Sequence, residues 1–506
     1  MGLVSSDGAV MRRVQGRAPS IAIIGSGFGG LAAAIELKRR GYQDVVLLEK
    51  ADEVGGVWRD NTYPGAACDV PSPIYSFSYA PNPRWPHRFS TQPAILDYLR
   101  SVADTFDVRR HIRFGVEVVA ATYDEDERRW RVDLQGADGA GETLDVDVLV
   151  SAVGQLSRPA FADIPGRAEF AGPSFHSAQW RHDVDLAGKR VAVIGTGASA
   201  VQFVPAIAPE VGAMTVFQRS APYLLLRPDR RFSQAHHRLF RLLPVVQLAE
   251  RGFWFGMLEL LGVAWIYSRL VAGVLKGCSW LHMRHGAKAK PGLFAQVWPD
   301  YPIGCKRVLF SGDYVPALAR PNVDLVTDPI TRITPTGVVT ADPGGRETEH
   351  PADVLIWGTG FKATEFLAPM KVTGAGGRVL DAEWAGGARA YYGVSVPHFP
   401  NLHLMYGPNT NTGAGSVVYF LEAQARFLGD LVDEVARRGC PLAVREDVES
   451  AYDGWVQDRL TRSVWSRCTS WYRVGGSGRI TTNWPLLGSQ YHHQARFRPG
   501  DYEEVA

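Results

Sequence analysis

Two glycine-rich turns, each entered from a short apolar run and left into a helix-forming stretch, constrain this chain more than any other feature. The first is Gly25-Ser26-Gly27-Phe28-Gly29-Gly30 after Ser20–Ile24, and the second is Gly195-Thr196-Gly197-Ala198-Ser199-Ala200 after Arg190–Ile194. In a strand-turn-helix unit such glycines permit a tight turn and let the backbone approach a pyrophosphate, while the helix N-terminus aims its free N–H groups at the negative charge. The first turn leads into Leu31–Arg40, closed by Gly41, and then into apolar Val45–Leu48 and Glu49. An acid in that place accepts hydrogen bonds from a ribose without a phosphate. After the second turn, Met214–Phe217 runs into Gln218-Arg219-Ser220. An arginine there neutralises a 2′-phosphate, which favours NADPH over NADH. The expectation is two bound dinucleotides with electrons passing between them.

The organisation follows from an internal echo. Asp147-Val-Leu-Val-Ser-Ala-Val-Gly154 and Asp353-Val-Leu-Ile-Trp-Gly-Thr-Gly360 resemble each other, and each reads as the strand that closes one nucleotide-binding sheet. Between the first unit and its closing strand, alternation over Glu117–Leu134 predicts a small antiparallel ribbon. The strand Leu402–Met405 and the helix Val417–Arg438 return to the first unit. The predicted fold is α/β, with two Rossmann-like domains, the second inserted in the first. Residues 1–19 form an N-terminal arm, 20–156 and 361–506 the first domain, and 157–360 the second, with a helical insertion over about 232–289.

Bulk composition excludes several classes. The 54 basic and 52 acidic residues nearly cancel, which gives no footprint for a nucleic-acid partner. The five cysteines, Cys68, Cys278, Cys305, Cys440 and Cys468, show neither CxxC nor metal-ligand spacing and read as reduced thiols of a cytoplasmic protein. The histidines form no ligand set, so no metal is expected. Phe253–Leu275 is apolar but contains Glu259 and Arg269, so its uncharged run falls short of the ~18–20 residues of a span. It is expected to be a buried or amphipathic helix without stable membrane insertion, whose aromatics could make a greasy surface for apolar substrates or lipid.

Four further motifs stand in order along the chain. They are Gly55-Gly56-Val57-Trp58 followed by Tyr63-Pro-Gly65 and Asp69; Phe170-x-Gly172-x-x-x-His176-x-x-x-Trp180; Lys306-Arg307; and Gly407-Pro-Asn-Thr-Asn411. Together they resemble the type I Baeyer–Villiger monooxygenases, within the class B flavoprotein monooxygenases, over about residues 21–484. The chain departs at Arg181, where that family usually has Pro or Asp. The resemblance implies FAD in the first site and NADPH in the second. It implies hydride transfer to the flavin, reaction with dioxygen to a flavin C4a-peroxide, and attack on a ketone that rearranges to an ester or lactone. The rival within the fold is a flavin-containing N- or S-oxygenase acting on amines or thioethers, which typically has Asn where this chain has Asp69. A disulfide reductase of the same general build would need a redox cysteine pair.

The resemblance and the turns together nominate residues. Arg307 is the candidate catalytic residue, a charge that cannot be lost, held by Asp69. The FAD set is Gly25, Ser26, Gly27, Phe28, Gly29, Gly30, Glu49, Lys50, Gly56, Val57, Trp58, Asp69, Val70, Tyr75 and Val118. The NADPH set is Gly195, Thr196, Gly197, Ala198, Ser199, Gln202, Arg219, Ser220 and Lys306. Phe170, Gly172, His176 and Trp180 are expected to couple the domains, with His176 a joint residue rather than a general base. The Trp-rich Trp471-Tyr-Arg473 and Trp484 stretch is expected to cover the site, and the apolar insertion to admit a lipophilic ketone.

Overall fold

The computed structural model describes residues 18–505; the N-terminal arm expected over residues 1–19 lies almost wholly outside them. Two five-stranded parallel sheets form the frame. In the first, the strands run in the order Leu402–Leu404, Val148–Ser151, Ile21–Ile24, Val45–Glu49, Ile112–Phe114. In the second, the order is Val323–Val326, Ala213–Phe217, Arg190–Ile194, Val354–Trp357, Ser174–His176. The central strands are buried along their length because both faces of a parallel sheet are covered. On the first sheet, helix Phe28–Arg39 packs against the long helix Val417–Arg438, which comes from the far end of the chain.

The echo seen in the sequence has a structural cause. Asp147 heads one closing strand and accepts from the Ser20 N–H at 2.7 Å, while Asp353 heads the other and accepts from the Arg190 N–H at 2.8 Å. At the opposite ends, a Cβ on Gly25 would lie 2.8 Å from the Ala152 carbonyl oxygen, and one on Gly195 would lie 2.5 Å from that of Gly358. Both glycines have positive φ, +101° and +105°. Each glycine turn is therefore pressed onto the end of its own closing strand, where no side chain fits.

Each sheet also carries an antiparallel ribbon. Val116–Asp124, Arg129–Gly136 and Gly141–Val146 form the first, with Lys371–Thr373 added alongside, and Ile330–Thr334, Gly337–Ala341 and Glu347–Pro351 form the second. The insertion consists of helices Gln234–Leu242, Pro244–Ile266 and Arg269–Gly286.

Two expectations are corrected here. The apolar run Phe253–Leu275 is not one helix but parts of two. It breaks at Tyr267-Ser268, where the Ser268 hydroxyl accepts from the Val271 N–H at 3.3 Å, and the chain turns by 109° into the next helix. Much of its apolar surface faces outward. The cysteines are not all reduced thiols either. Cys305 and Cys468, 163 residues apart, are joined by a disulfide with Cα atoms 6.1 Å apart. Spacing rules look for neighbouring cysteines and cannot see a pair that only the tertiary fold brings together.

Candidate active site

The first turn is built to hold a pyrophosphate. Gly27 caps helix Phe28–Arg39 and offers no side chain, so the first N–H groups of the helix keep their hydrogen bonds for a ligand. Gly27 and Gly56 lie against each other, with a Cβ on Gly56 only 3.3 Å from the Gly27 Cα. A Cβ on Gly30 would meet the Gly25 carbonyl oxygen at 1.9 Å, and one on Gly29 the Met405 Cβ at 3.3 Å. Glycine at these positions is a steric requirement of the turn.

Glu49, at the end of its strand, is buried and already engaged. One oxygen accepts from the Ser26 N–H at 3.0 Å and the Ser26 hydroxyl at 2.7 Å; the other accepts from the Ala51 N–H at 3.0 Å and pairs with Arg59 at 3.0 Å. Its first task is to brace the turn, and ribose contacts would add to that. Arg59 was not foreseen from the sequence, which offered no signal for it beyond adjacency to Trp58. Phe28, Trp58 and Tyr75 form an aromatic shelf: Trp58 Nε1–H donates to the Tyr75 hydroxyl at 3.0 Å, and the Tyr75 ring meets Phe28 edge-on at 5.2 Å. Val70 and Val118 are buried, the latter at a register shift in the first ribbon. Lys50 and Val57 line a cleft of about 570 Å³, whose other walls include Arg59, Leu156, Gln179 and Phe361.

The second turn has the same design with a different corner. Gly197 caps helix Ala198–Ile207, again without a side chain. The Thr196 hydroxyl donates to the Ser220 carbonyl at 3.0 Å, which draws the turn to the Arg219-Ser220 corner. Lys306 Nζ donates to the Ser220 hydroxyl at 2.8 Å. Burial, and after it the nearby Arg219, lowers the Lys306 ammonium below its ordinary value. Two cations in one neighbourhood make a site for an anion such as a 2′-phosphate. Ser199 stands half-buried in the first turn of the helix.

Gln202, nominated as a cofactor contact, is a bridge between domains. Its Nε2 donates to the Ala67 carbonyl at 2.9 Å, and its Oε1 accepts from the Tyr63 hydroxyl at 2.9 Å. Gly65, with φ +79°, leaves room for this crossing, since a Cβ there would lie 2.7 Å from the Gln202 carbonyl oxygen.

The same interface brings Asp69 and Arg307 together. Arg307 Nε and Nη2 donate to the two carboxylate oxygens at 2.9 and 2.8 Å. Their side chains are 21% and 28% exposed, sheltered but not sealed off. The charge of Asp69 raises the already high pKa of the guanidinium further, so the arginine stays protonated at any working pH. Nη1 has no protein partner among the described residues. The neighbouring Cys305 is the disulfide partner of Cys468, which ties this segment to the C-terminal stretch. Tyr472 in that stretch is fully buried, and burial pushes its phenol up to about 12 against the pull of Arg307. Trp484 is buried in the same hydrophobic cluster, beside Tyr392 and Trp455, while Trp471 is exposed. The loop Gly407–Asn411 is knitted to the same region, with the Asn411 N–H donating to Thr482 and the Trp484 N–H donating to Asn411.

The segment Phe170–Trp180 forms the edge of the second sheet and the joint with the linkers. A Cβ on Gly172 would lie 2.4 Å from the Asp353 carbonyl oxygen. Phe170 packs with Trp357, and Trp180 against Phe175 and Phe203. The His176 ring is wholly buried between Phe161 of one linker and Phe361 of the other, at 5.4 and 5.7 Å. Burial lowers its pKa to about 4, so it is neutral near pH 7, and its Nδ1 accepts from the Ala178 N–H at 3.1 Å. Arg181 is exposed and paired with Asp183, outside this packing. Among the described residues no three His, Cys, Asp or Glu side chains converge in a way that could hold a metal ion.

Comparison with known proteins agrees with this geometry. The pyridine nucleotide-disulphide oxidoreductase family pattern matches residues 19–241, the part that holds both glycine turns. A Baeyer–Villiger monooxygenase of Streptomyces coelicolor is 45% identical over 482 residues, covering 94% of this chain and 90% of that protein. Among solved structures, the cyclohexanone monooxygenase from Rhodococcus sp. Phi1 bound to NADP+ superposes with a TM-score of 0.84 at 28% identity, over 96% of this chain and 99% of the other. The OTEMO complex with FAD and NADP gives a TM-score of 0.83 at 26% identity, over 96% and 99%. With two glycine turns pressed on parallel sheets, an arginine clamped by an aspartate between them, and near-full-length similarity at 45% identity, this chain belongs to the Baeyer–Villiger monooxygenase family.

Proposed function

We propose that Arg307, locked on Asp69, is the group around which this enzyme inserts one oxygen atom of dioxygen beside the carbonyl of a lipophilic ketone, giving an ester or lactone. The two-pronged Arg307–Asp69 contact carries the reading. The enzyme uses FAD and NADPH, and the residues present fit both: glycine turns with no room for a Cβ at Gly25, Gly30 and Gly195, helix starts with free N–H groups, and the cations Lys306 and Arg219 at the second corner. When bound, NADPH supplies a hydride and reduced FAD supplies the two-electron activation of dioxygen.

The remaining work belongs to the chain. Arg307 presents a fixed positive charge, with Nη1 available, where negative charge develops on the substrate carbonyl oxygen; preorganised donors of this kind contribute most when they do not have to reorient during reaction. Asp69 prevents reorientation by holding Nε and Nη2. An amine- or thioether-oxidising enzyme transfers an electrophilic oxygen and gains nothing from such a clamp. His176, neutral and buried between the linkers, acts as a joint that transmits nucleotide binding to domain position. The covalently tied Cys305–Cys468 region covers the arginine segment and excludes water.

The domains are taken as 20–156 with 361–506, and 157–360, which agrees with sheet membership. Among the described residues no single helix is long and apolar enough to cross a membrane. Mass spectrometry of products from the FAD-loaded enzyme, NADPH and a panel of linear, cyclic and aryl ketones plus one thioether tests the reading. Esters or lactones are expected, and a sulfoxide as the sole product would overturn it.

A further inference from the structure

The helical insertion is built inside out. Of the eighteen large hydrophobic side chains exposed among the described residues, thirteen lie between Leu239 and Leu281. On helix Pro244–Ile266, the exposed Val245, Leu248, Phe253, Met257 and Leu260, 40–66% exposed, are joined by the exposed small residues Ala249, Gly252 and Gly256 into a stripe that carries no charge. The polar residues of that helix face the other way and are bonded to the body. Gln247 donates to the Asn82 carbonyl at 2.7 Å, Glu250 accepts from Arg88 at 3.1 Å, Arg251 donates to the Ser76 carbonyl at 3.1 Å, and Glu259 accepts from the Gly488 N–H at 3.0 Å. A helix on a water-facing surface shows the opposite arrangement. After the 109° bend the next helix continues the apolar face with Leu270, Val274 and Leu281, 61–79% exposed.

Charge decides what covers this face. Arg238, Arg241, Arg269, Lys276, Arg284 and Lys288 are exposed on the insertion, and none is in an ion pair among the described residues. The two acids of the insertion, Glu250 and Glu259, are both spent inward. A second copy docking here by symmetry would set one basic face against another with no exposed acid between them. An apolar stripe flanked by unpaired cations, on helices neither of which is long and apolar enough to span alone, matches the interface of an anionic bilayer.

The geometry points to a peripheral membrane-docking surface on helices Pro244–Ile266 and Arg269–Gly286, which seats its apolar stripe at the acyl boundary of anionic phospholipid. Docked there, the enzyme draws apolar substrate from the lipid phase, where such molecules concentrate, rather than from water.

Flotation of the FAD-loaded full chain tests this with vesicles of phosphatidylcholine alone and of phosphatidylcholine with phosphatidylserine. The expected result is flotation with the anionic vesicles, reversal by high salt because the attraction is screened, and release by carbonate, which strips surface-bound but not inserted protein. The triple variant Leu248→Glu, Phe253→Glu, Leu270→Glu is expected to lose about tenfold in bound fraction while keeping its flavin content and NADPH oxidation. A milder Leu270→Gln, at the most exposed position of the second helix, should weaken binding without any demand on folding. Equal or absent binding to the two vesicle types overturns the proposal. So does sedimentation of the wild type as a dimer that the triple variant dissociates, which would assign the face to a second copy.

Discussion

Arg307 and Asp69, 238 residues apart, meet through two hydrogen bonds of 2.9 and 2.8 Å that join the two nucleotide-binding units. The contact places a permanent charge at the interface and fixes its direction. Replacing Arg307 by Ala should lower ester or lactone formation by about 10²–10³-fold, the effect typical of losing one preorganised donor. NADPH consumption should persist and end in hydrogen peroxide. Asp69→Ala should fall in between, because the arginine remains but is no longer held. Parallel assays of product, NADPH and peroxide check both, and full coupling in Arg307→Ala would remove it from the mechanism.

The Lys306–Ser220 bond and the neighbouring Arg219 predict nucleotide choice. Charge-assisted contacts are worth about 1.5–3 kcal/mol, so Arg219→Ala and Lys306→Ala should each raise the KM for NADPH roughly 10- to 100-fold. The KM for NADH should barely move. Equal effects on both nucleotides would place the two cations elsewhere than at a 2′-phosphate.

Buried ionisable groups give stability a pH signature. Glu449 is fully buried, its nearest cation is Arg389 at 3.6 Å, and burial raises its pKa from 4.5 to about 7. A raised acid favours the fold fully below about pH 4.5 and loses that contribution as pH climbs through 7. Glu449→Gln should therefore stabilise the protein at pH 8, on the order of 1–3 kcal/mol, with little change at pH 4.5. His403 and His176 act in reverse: burial lowers them to about 3 and about 4, so their contribution is present above pH 6.5 and is lost on acidification towards those values. Thermal unfolding against pH for wild type and Glu449→Gln separates the two signs.

The bond between Cys305 and Cys468 is open to direct measurement. Non-reducing peptide mapping should recover the two cysteines as one linked pair, with Cys68, Cys278 and Cys440 alkylated without reduction in the unfolded protein. Closing a loop of 163 residues constrains the unfolded chain by about 4–5 kcal/mol in the chain-entropy view, so reductant should lower the unfolding temperature. Cys468→Ser should reproduce the effect of reductant and make the wild type's response disappear.

Legibility in the sequence depended on how local each feature is. The glycine turns, the strands around them and the paired closing strands could be read directly, because tight turns and apolar runs are written in consecutive residues. Asp69 and Arg307 were recognisable only through family likeness; nothing local to either announces a partner 238 residues away. The Gln202 side chain also spans to Tyr63 and Ala67, a bond that only the docked domains reveal. Arg59 and the cysteine pair were missed for the same reason. The insertion was legible in part, its break into two helices excepted. Its apolar content was evident, but which side of a helix faces the body is settled by what the body offers, and Asn82, Arg88 and Ser76 offer polar partners.

Strand order in the first sheet also imposes a timetable on synthesis. Leu402–Leu404 pairs with Leu149–Ser151, and Gly29 of the first turn lies against Met405. The ribosome, at about 5–20 residues per second, needs on the order of 10–50 s to make the roughly 250 residues between those partners. All five strands of the second sheet, from Ser174 to Trp357, emerge within that interval. The second domain can thus be complete on the nascent chain while the first turn still waits for the strand beside it.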